Sequence, residues 1–255
     1  MLNRIKADFT TLTLALIPVA IVINIVVGHV VQDILKLPIY LDSVGTVLVA
    51  VLAGPIAGAI TGALSNILWG IIFSNPQIMP FAITAFFIGL VAGILAQMGW
   101  FKRDLGLPQG LGIVAAIGVV LIVIEVVNAP DPNTKLIGGG IALVLTLAAL
   151  LLTALRVFPP LVAAGGLLTG MVAALISAPI AALVFNGVTG SGTDAIVAFL
   201  EASGANVMQA ALGQGLTSDP FDKFVSFFVV WVILRGLARR YLARFPRAGN
   251  VVDPK

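Results

Sequence analysis

The 255-residue chain has no cysteine, one histidine and two tyrosines, and only 10% of its residues are charged. Without cysteine there can be no disulfide, thiol nucleophile or thiolate metal site. The one histidine, His29, has only Asp33 one helical turn on and no cluster of further ligands, so no metal site is expected and the ring is read as packing near a helix end. No HExxH, GxSxG or GxxxxGK[ST] pattern occurs, so protease, hydrolase and nucleotide chemistry lack their residues. The protein is therefore expected not to be an enzyme and to need no cofactor. The shortage of charge accompanies 60% hydrophobic residues and a mean hydropathy of +1.13, values that a polar-surfaced soluble domain does not reach. Lipid is the expected solvent. The net charge of +3 sits in short basic clusters beside apolar segments, which marks membrane orientation rather than nucleic-acid binding.

Apolar stretches cover residues 10–31, 39–53, 55–73, 79–99, 110–127, 136–155, 161–185 and 220–237. They predict an all-α integral membrane protein of about eight helical segments forming a single membrane domain. Only Gly54-Pro55 separates the second segment from the third, and the second is short for a hydrocarbon core of about 30 Å. Threaded this way, one side carries Arg4, Lys6, Lys102, Arg103, Arg156, Arg235, Arg239, Arg240, Arg244, Arg247 and Lys255, and the other only Lys36, Lys135 and Lys223. The richer side, with both termini and a basic tail at 238–255, is expected in the cytoplasm of a bacterial or archaeal cell, the chain lying in its inner membrane. Asp33, Asp42, Asp131, Asp194, Glu201, Asp219 and Asp222 then fall outside, and Glu125 lies at an outer helix end within reach of water. Residues 194–217 read as a helix on or dipping into the outer face, entered through a flexible run at 186–193, with Thr193 or Asp194 as its cap. Asp42 and Asp219 also read as N-caps, the latter followed by Pro220 at the first helical position.

Gly54, Gly58, Gly62, Asn66 and Gly70 recur every four residues, as do Gly89/Gly93 and Gly166/Gly170/Ala174. Small residues at that interval let helix backbones approach closely in lipid. Asn66 differs, because a mid-membrane amide needs a partner, either another helix or a ligand. Trp69, one turn on, can stack on a ligand or, like Tyr40 and Trp231, anchor at an interface. The threading carries Asn66, Trp69 and Asn75 progressively towards the outer face, and a fold-back of 194–217 brings Asn186, Gln209, Asp222 and Lys223 to the same region. These seven residues form the expected substrate pocket, with amides and one ion pair for orientation and an indole for stacking.

The stretch LPIYLDSVGTVLVAVLAGPIAGAITGALSNILWGI, residues 37–71, resembles the second and third helices of the substrate-binding membrane subunits of energy-coupling factor transporters. The runs GLLTGMVAALISAPIAALVFNGVTGSGTDA and SDPFDKFVSFFVVWVIL are similar to the same group, and the matching parts cover roughly half the chain. The resemblance implies a six-helix core (10–100 and 160–240) that captures a vitamin or related micronutrient. Energy would come from a separate coupling membrane subunit and its ATPase subunits. It also implies that the helical pair at 105–157 is an insertion, and that Thr11 and Ala15 stand where the family carries small residues for docking its partner. Two other readings remain open. One is a ligand-sensing receptor domain that signals through a partner; the other is a secondary transporter, which the expected lack of membrane carboxylates disfavours.

Overall fold

A computed structural model describes residues 7–102 and 106–251. Of the cations used for orientation, Arg4, Lys6, Arg103 and Lys255 lie outside the described residues. The described chain is about 80% helical, without strands. Its helices are α1 (Thr11–Gly28), α2 (Val44–Ala53), α3 (Pro55–Ile72), α4 (Ala82–Gln97), α5 (Leu107–Asn128), α6 (Pro132–Ala154), α7 (Pro160–Phe185), α8 (Asp194–Ala202), α9 (Val207–Gly236) and α10 (Arg239–Leu242). A π-helical turn, His29–Ile34, prolongs α1, and a 3₁₀ turn, Pro76–Phe81, leads into α4.

Six of these, α1 and α3 to α7, are long and apolar enough to cross a membrane once the two turns are included, which makes the chain a multi-pass membrane protein. The other two apolar segments differ for separate reasons. Helix α2 has ten residues, all buried, and at about 1.5 Å each it reaches only half of a hydrocarbon core. Helix α9 is 30 residues long, but Asp219, Asp222 and Lys223 interrupt its apolar run.

Several local expectations are corrected. Asp219 is not an N-cap, because α9 runs unbroken from Val207 to Gly236 with Pro220 inside it. Gly170 of α7 lies against the α9 backbone at Asp219 and Pro220, where a Cβ would not fit. Ser43 rather than Asp42 holds the N-cap position of α2, and it makes no side-chain capping bond. Residues 194–217 are not one helix: the chain breaks after Ala202, passes Gly204 at φ +99°, and starts α9 at Val207. The run 186–193 is tied down. Asp194 does not cap; its carboxylate accepts from the backbone N–H groups of Thr189 (3.0 Å) and Gly190 (2.7 Å).

By its internal contacts the chain forms two compact units, the first comprising the described residues of Met1–His29, Leu41–Arg103 and Val225–Lys255, the second Val30–Tyr40 and Asp104–Phe224. In the first, α1, α2 and α3 enclose an apolar core that includes Ile17, Ile21, Ile25, Val49 and Trp69. Glycine sets the spacing. A Cβ at Gly89 of α4 would collide with the backbone of Gly58 in α3, and one at Gly58 would collide with Ala50 of α2. A fully buried Asn24 ties three helices together: its amide donates to Thr46 Oγ1 (2.8 Å) and Ser65 Oγ (2.9 Å), and its carbonyl accepts from Gly45 N–H (2.7 Å). Asn24→Ala leaves these buried groups without their partner, so we expect a loss of about 1–3 kcal/mol in detergent unfolding. A loss below about 0.5 kcal/mol would mean that the knot contributes nothing.

The end of α2 is closed by distant chain. Leu52 O accepts from Arg247 N–H (3.0 Å) and Val51 O from the Asn250 amide (2.9 Å), which satisfies two carbonyls that a helix end leaves open. Arg247 also pairs with Asp8 (2.6 Å) beside Gly54, whose φ of +99° makes the sharp turn into Pro55.

In the second unit, α5 and α6 pack as a helical pair in which Gly118 admits Thr146. Asp131 opens α6 with a reciprocal capping box to Thr134, and the Thr134 hydroxyl bond holds the Asp131 carboxyl below its usual range. Leu121, Met171 and Leu216 join α5, α7 and α9 in one core.

Candidate functional site

In the first unit, α3 places Asn66 and Trp69 one turn apart, 6% and 0% exposed. Residues three apart share a helix face, so both side chains leave α3 in nearly the same direction. A Cβ at Gly28 would meet the indole at 2.5 Å, so that glycine is what admits Trp69. Its ring meets His29 edge-on at 6.4 Å, and His29 stacks on Phe73 at 4.0 Å. Full burial rules out the interface-anchor reading for Trp69. The indole Nε1–H has no acceptor among the described residues, whereas a buried Trp normally finds one. Asn75 is half-buried at the start of the 3₁₀ turn, where its N–H donates to Gly70 O (2.9 Å).

The second unit holds the remaining expected residues. Asp222 and Lys223 form a salt bridge, 0% and 2% exposed. Asp222 also accepts from Tyr40 N–H (3.2 Å), and the Lys223 ammonium lies 5.8 Å from the Tyr40 ring centroid. The Tyr40 hydroxyl donates to Thr193 (3.2 Å) and accepts from Gln214 (3.0 Å), whose amide also donates to Ser218 (2.6 Å). Burial, and after it the Asp219 carboxylate, pushes the Tyr40 phenol well above its ordinary range, so it stays a neutral donor. Asp219, 4% exposed, accepts from Ser177 of α7 (3.2 Å). Close packing makes this possible: Cβ atoms at Gly166 and Gly170 would overlap the α9 backbone at Phe224 and Pro220.

Asp219 and Asp222 lie inside the protein, where hydrogen bonds and a lysine partner offset their desolvation. One expectation fails here: Glu125 does not reach water. It is 4% exposed, accepts from Thr217 (3.2 Å), and has Gly138 beside it in place of a larger side chain.

Asn186 and Gln209 have local work. Exposed Asn186 ends α7 in the left-handed conformation at φ +50°, which asparagine tolerates. Gln209 makes a reciprocal pair with Asn206, each side chain accepting from the other's N–H (2.9 and 3.1 Å), and so caps α9. Tyr40, Ser177, Gln214 and Ser218 were not singled out from the sequence as site residues. Their signal was the spacing of Gln214, Ser218 and Asp222 along one helix face, hidden once a boundary was drawn at Pro220. No group of residues with metal-ligating spacing occurs among those described. Neither a protein-family model, nor a curated protein, nor a solved structure matches the chain.

Proposed function

We propose that this protein is the substrate-capture subunit of an uptake system for a vitamin-like solute, non-catalytic itself and energised by a separate coupling subunit and ATPases. In this reading the chain has eight membrane-inserted segments, α2 and the second half of α9 completing the six long ones. It lies in a bacterial or archaeal inner membrane with both termini cytoplasmic, and α5–α6 is an insertion into a six-helix core like that of energy-coupling factor subunits. The observation that carries the reading is the buried indole N–H of Trp69, without an acceptor among the described residues, beside Asn66. Such a site suits an aromatic solute with carbonyl or ring-nitrogen acceptors. Thr11 and Ala15 sit on the exposed side of α1, where a partner helix can reach them.

The test begins with mass spectrometry of small molecules released from the purified chain, followed by titration of the one found. Binding is expected from the chain alone; accumulation in liposomes is expected only with the coupling subunit and ATPases added. Trp69→Phe keeps an aromatic ring, though a smaller one, and removes the N–H, so it should weaken binding about 5- to 150-fold, with detergent unfolding measured alongside to separate lost packing from lost binding, and Asn66→Ala should do likewise. Unchanged affinity in both would move the site elsewhere.

The buried carboxylates support a second reading, an ion-coupled secondary transporter. Asp219 and Asp222 share α9 with a single buried ammonium, and Glu125 adds a third buried acid in α5, so the absence of such groups no longer argues against it. Uptake driven by a proton or sodium gradient in liposomes holding only this chain would establish that reading.

A further inference from the structure

At the end of α9 the first unit forms a partly open cavity of about 300 Å³. Lys102, Arg235 and Arg239 line it, and no acidic residue does among those described. The rest of the lining is apolar or aromatic and includes Phe101, Trp231 and Leu242. Arg235 lies in the last turn of α9, where helix carbonyls favour a cation, and its guanidinium sits 5.2 Å from the Trp231 ring. Trp231 is itself stacked on Phe228 at 6.0 Å, so the arginine rests on a fixed ring. Lys102 follows α4 by five residues, which places the cavity where two apolar helices end. A tryptophan, arginines and a lysine at helix ends are the groups that meet lipid headgroups.

We propose that this cavity binds the phosphate headgroup of an anionic phospholipid. The shared chemistry is that of a phosphate ester, which guanidinium groups grip through paired N–H donors. The apolar side of the lining decides for a lipid over a soluble phosphate, because the half-buried Trp231, Leu237 and Val251 offer nothing to a fully hydrated anion but can cover the glycerol and first acyl carbons of a lipid. The volume lies at the small end of ligand pockets and suits a headgroup rather than an entire lipid. The proposal depends on the chain being a membrane protein and not on what solute it captures.

The experiment uses the full chain, stripped of lipid in neutral detergent and titrated with phosphatidylglycerol or phosphatidylcholine under native mass spectrometry. Inorganic phosphate and glycerol 3-phosphate serve as soluble arms. The unaltered protein is expected to hold phosphatidylglycerol about tenfold more tightly than phosphatidylcholine, and Arg235→Gln with Arg239→Gln to abolish the preference. Arg240→Gln with Arg244→Gln removes the same charge from the same tail outside the cavity, and should leave the preference intact. Should the first pair fail to fold, Arg239→Gln alone, on an exposed turn, is expected to weaken phosphatidylglycerol about threefold. Equal losses from both pairs would reduce the effect to general tail charge and overturn the proposal. So would the absence of a preference, or equally tight binding of either soluble phosphate.

Discussion

Lys223→Ala is expected to destabilise the protein by about 3–5 kcal/mol, because it strands the Asp222 carboxylate at 0% exposure without its cation. The penalty belongs to the uncompensated charge rather than to the attraction lost. The double variant Asp222→Asn with Lys223→Met should therefore recover most of the loss. The amide oxygen that replaces the carboxylate can still accept the Tyr40 N–H, and methionine fills the lysine stem's volume without a charge to desolvate. Detergent unfolding of the two single variants and the double provides the comparison. A double variant no more stable than Lys223→Ala would show that the pair acts through packing and not through charge.

The other large effect is steric. Gly89→Leu should cost more than about 3 kcal/mol or prevent accumulation of folded protein, since even its Cβ collides with the backbone of Gly58 and Ala59, and a backbone cannot step aside as a side chain can. Glycines with nothing within 4 Å make the control. Gly112→Ala in α5 and Gly140→Ala in α6 are expected to be neutral or to stabilise by up to about 1 kcal/mol, the helix-propensity difference alone. If Gly89→Leu behaved like these controls, α3 and α4 would not be packed through their glycines.

Membrane character and the extents of most long helices were legible in the sequence, because apolar runs of membrane length have few other structural uses. Several close approaches were legible too: Gly58, Gly89, Gly166 and Gly170 stand where a neighbouring backbone leaves no room for a Cβ, whereas Gly45, against Ala20 O, carried no such repeat. Helix α9 was misread. Asp219-Pro220 has the local signature of a helix start, yet α9 continues through both, and Gly170, fifty residues earlier, lets α7 approach the α9 backbone at this point. The same boundary hid the inward contacts of Asp219 and Asp222, since polarity in sequence does not reveal whether Ser177 or Tyr40 folds over to meet them. Trp69 could be marked as a candidate from its place beside Asn66, but its unpartnered N–H depends on what surrounds it in three dimensions.

The clasp over the Gly54 turn bears on the order in which the molecule can be completed. Helix α2 is made early, yet the amide that closes Val51 O comes from Asn250, 199 residues later, and the N–H that closes Leu52 O comes from Arg247. During synthesis those carbonyls must rely on water or on a temporary partner. The buried, ten-residue α2 therefore cannot have both carbonyls closed until residues 247–250 are in place, which ties the seating of one of the earliest buried helices in the chain to a segment far from it in sequence.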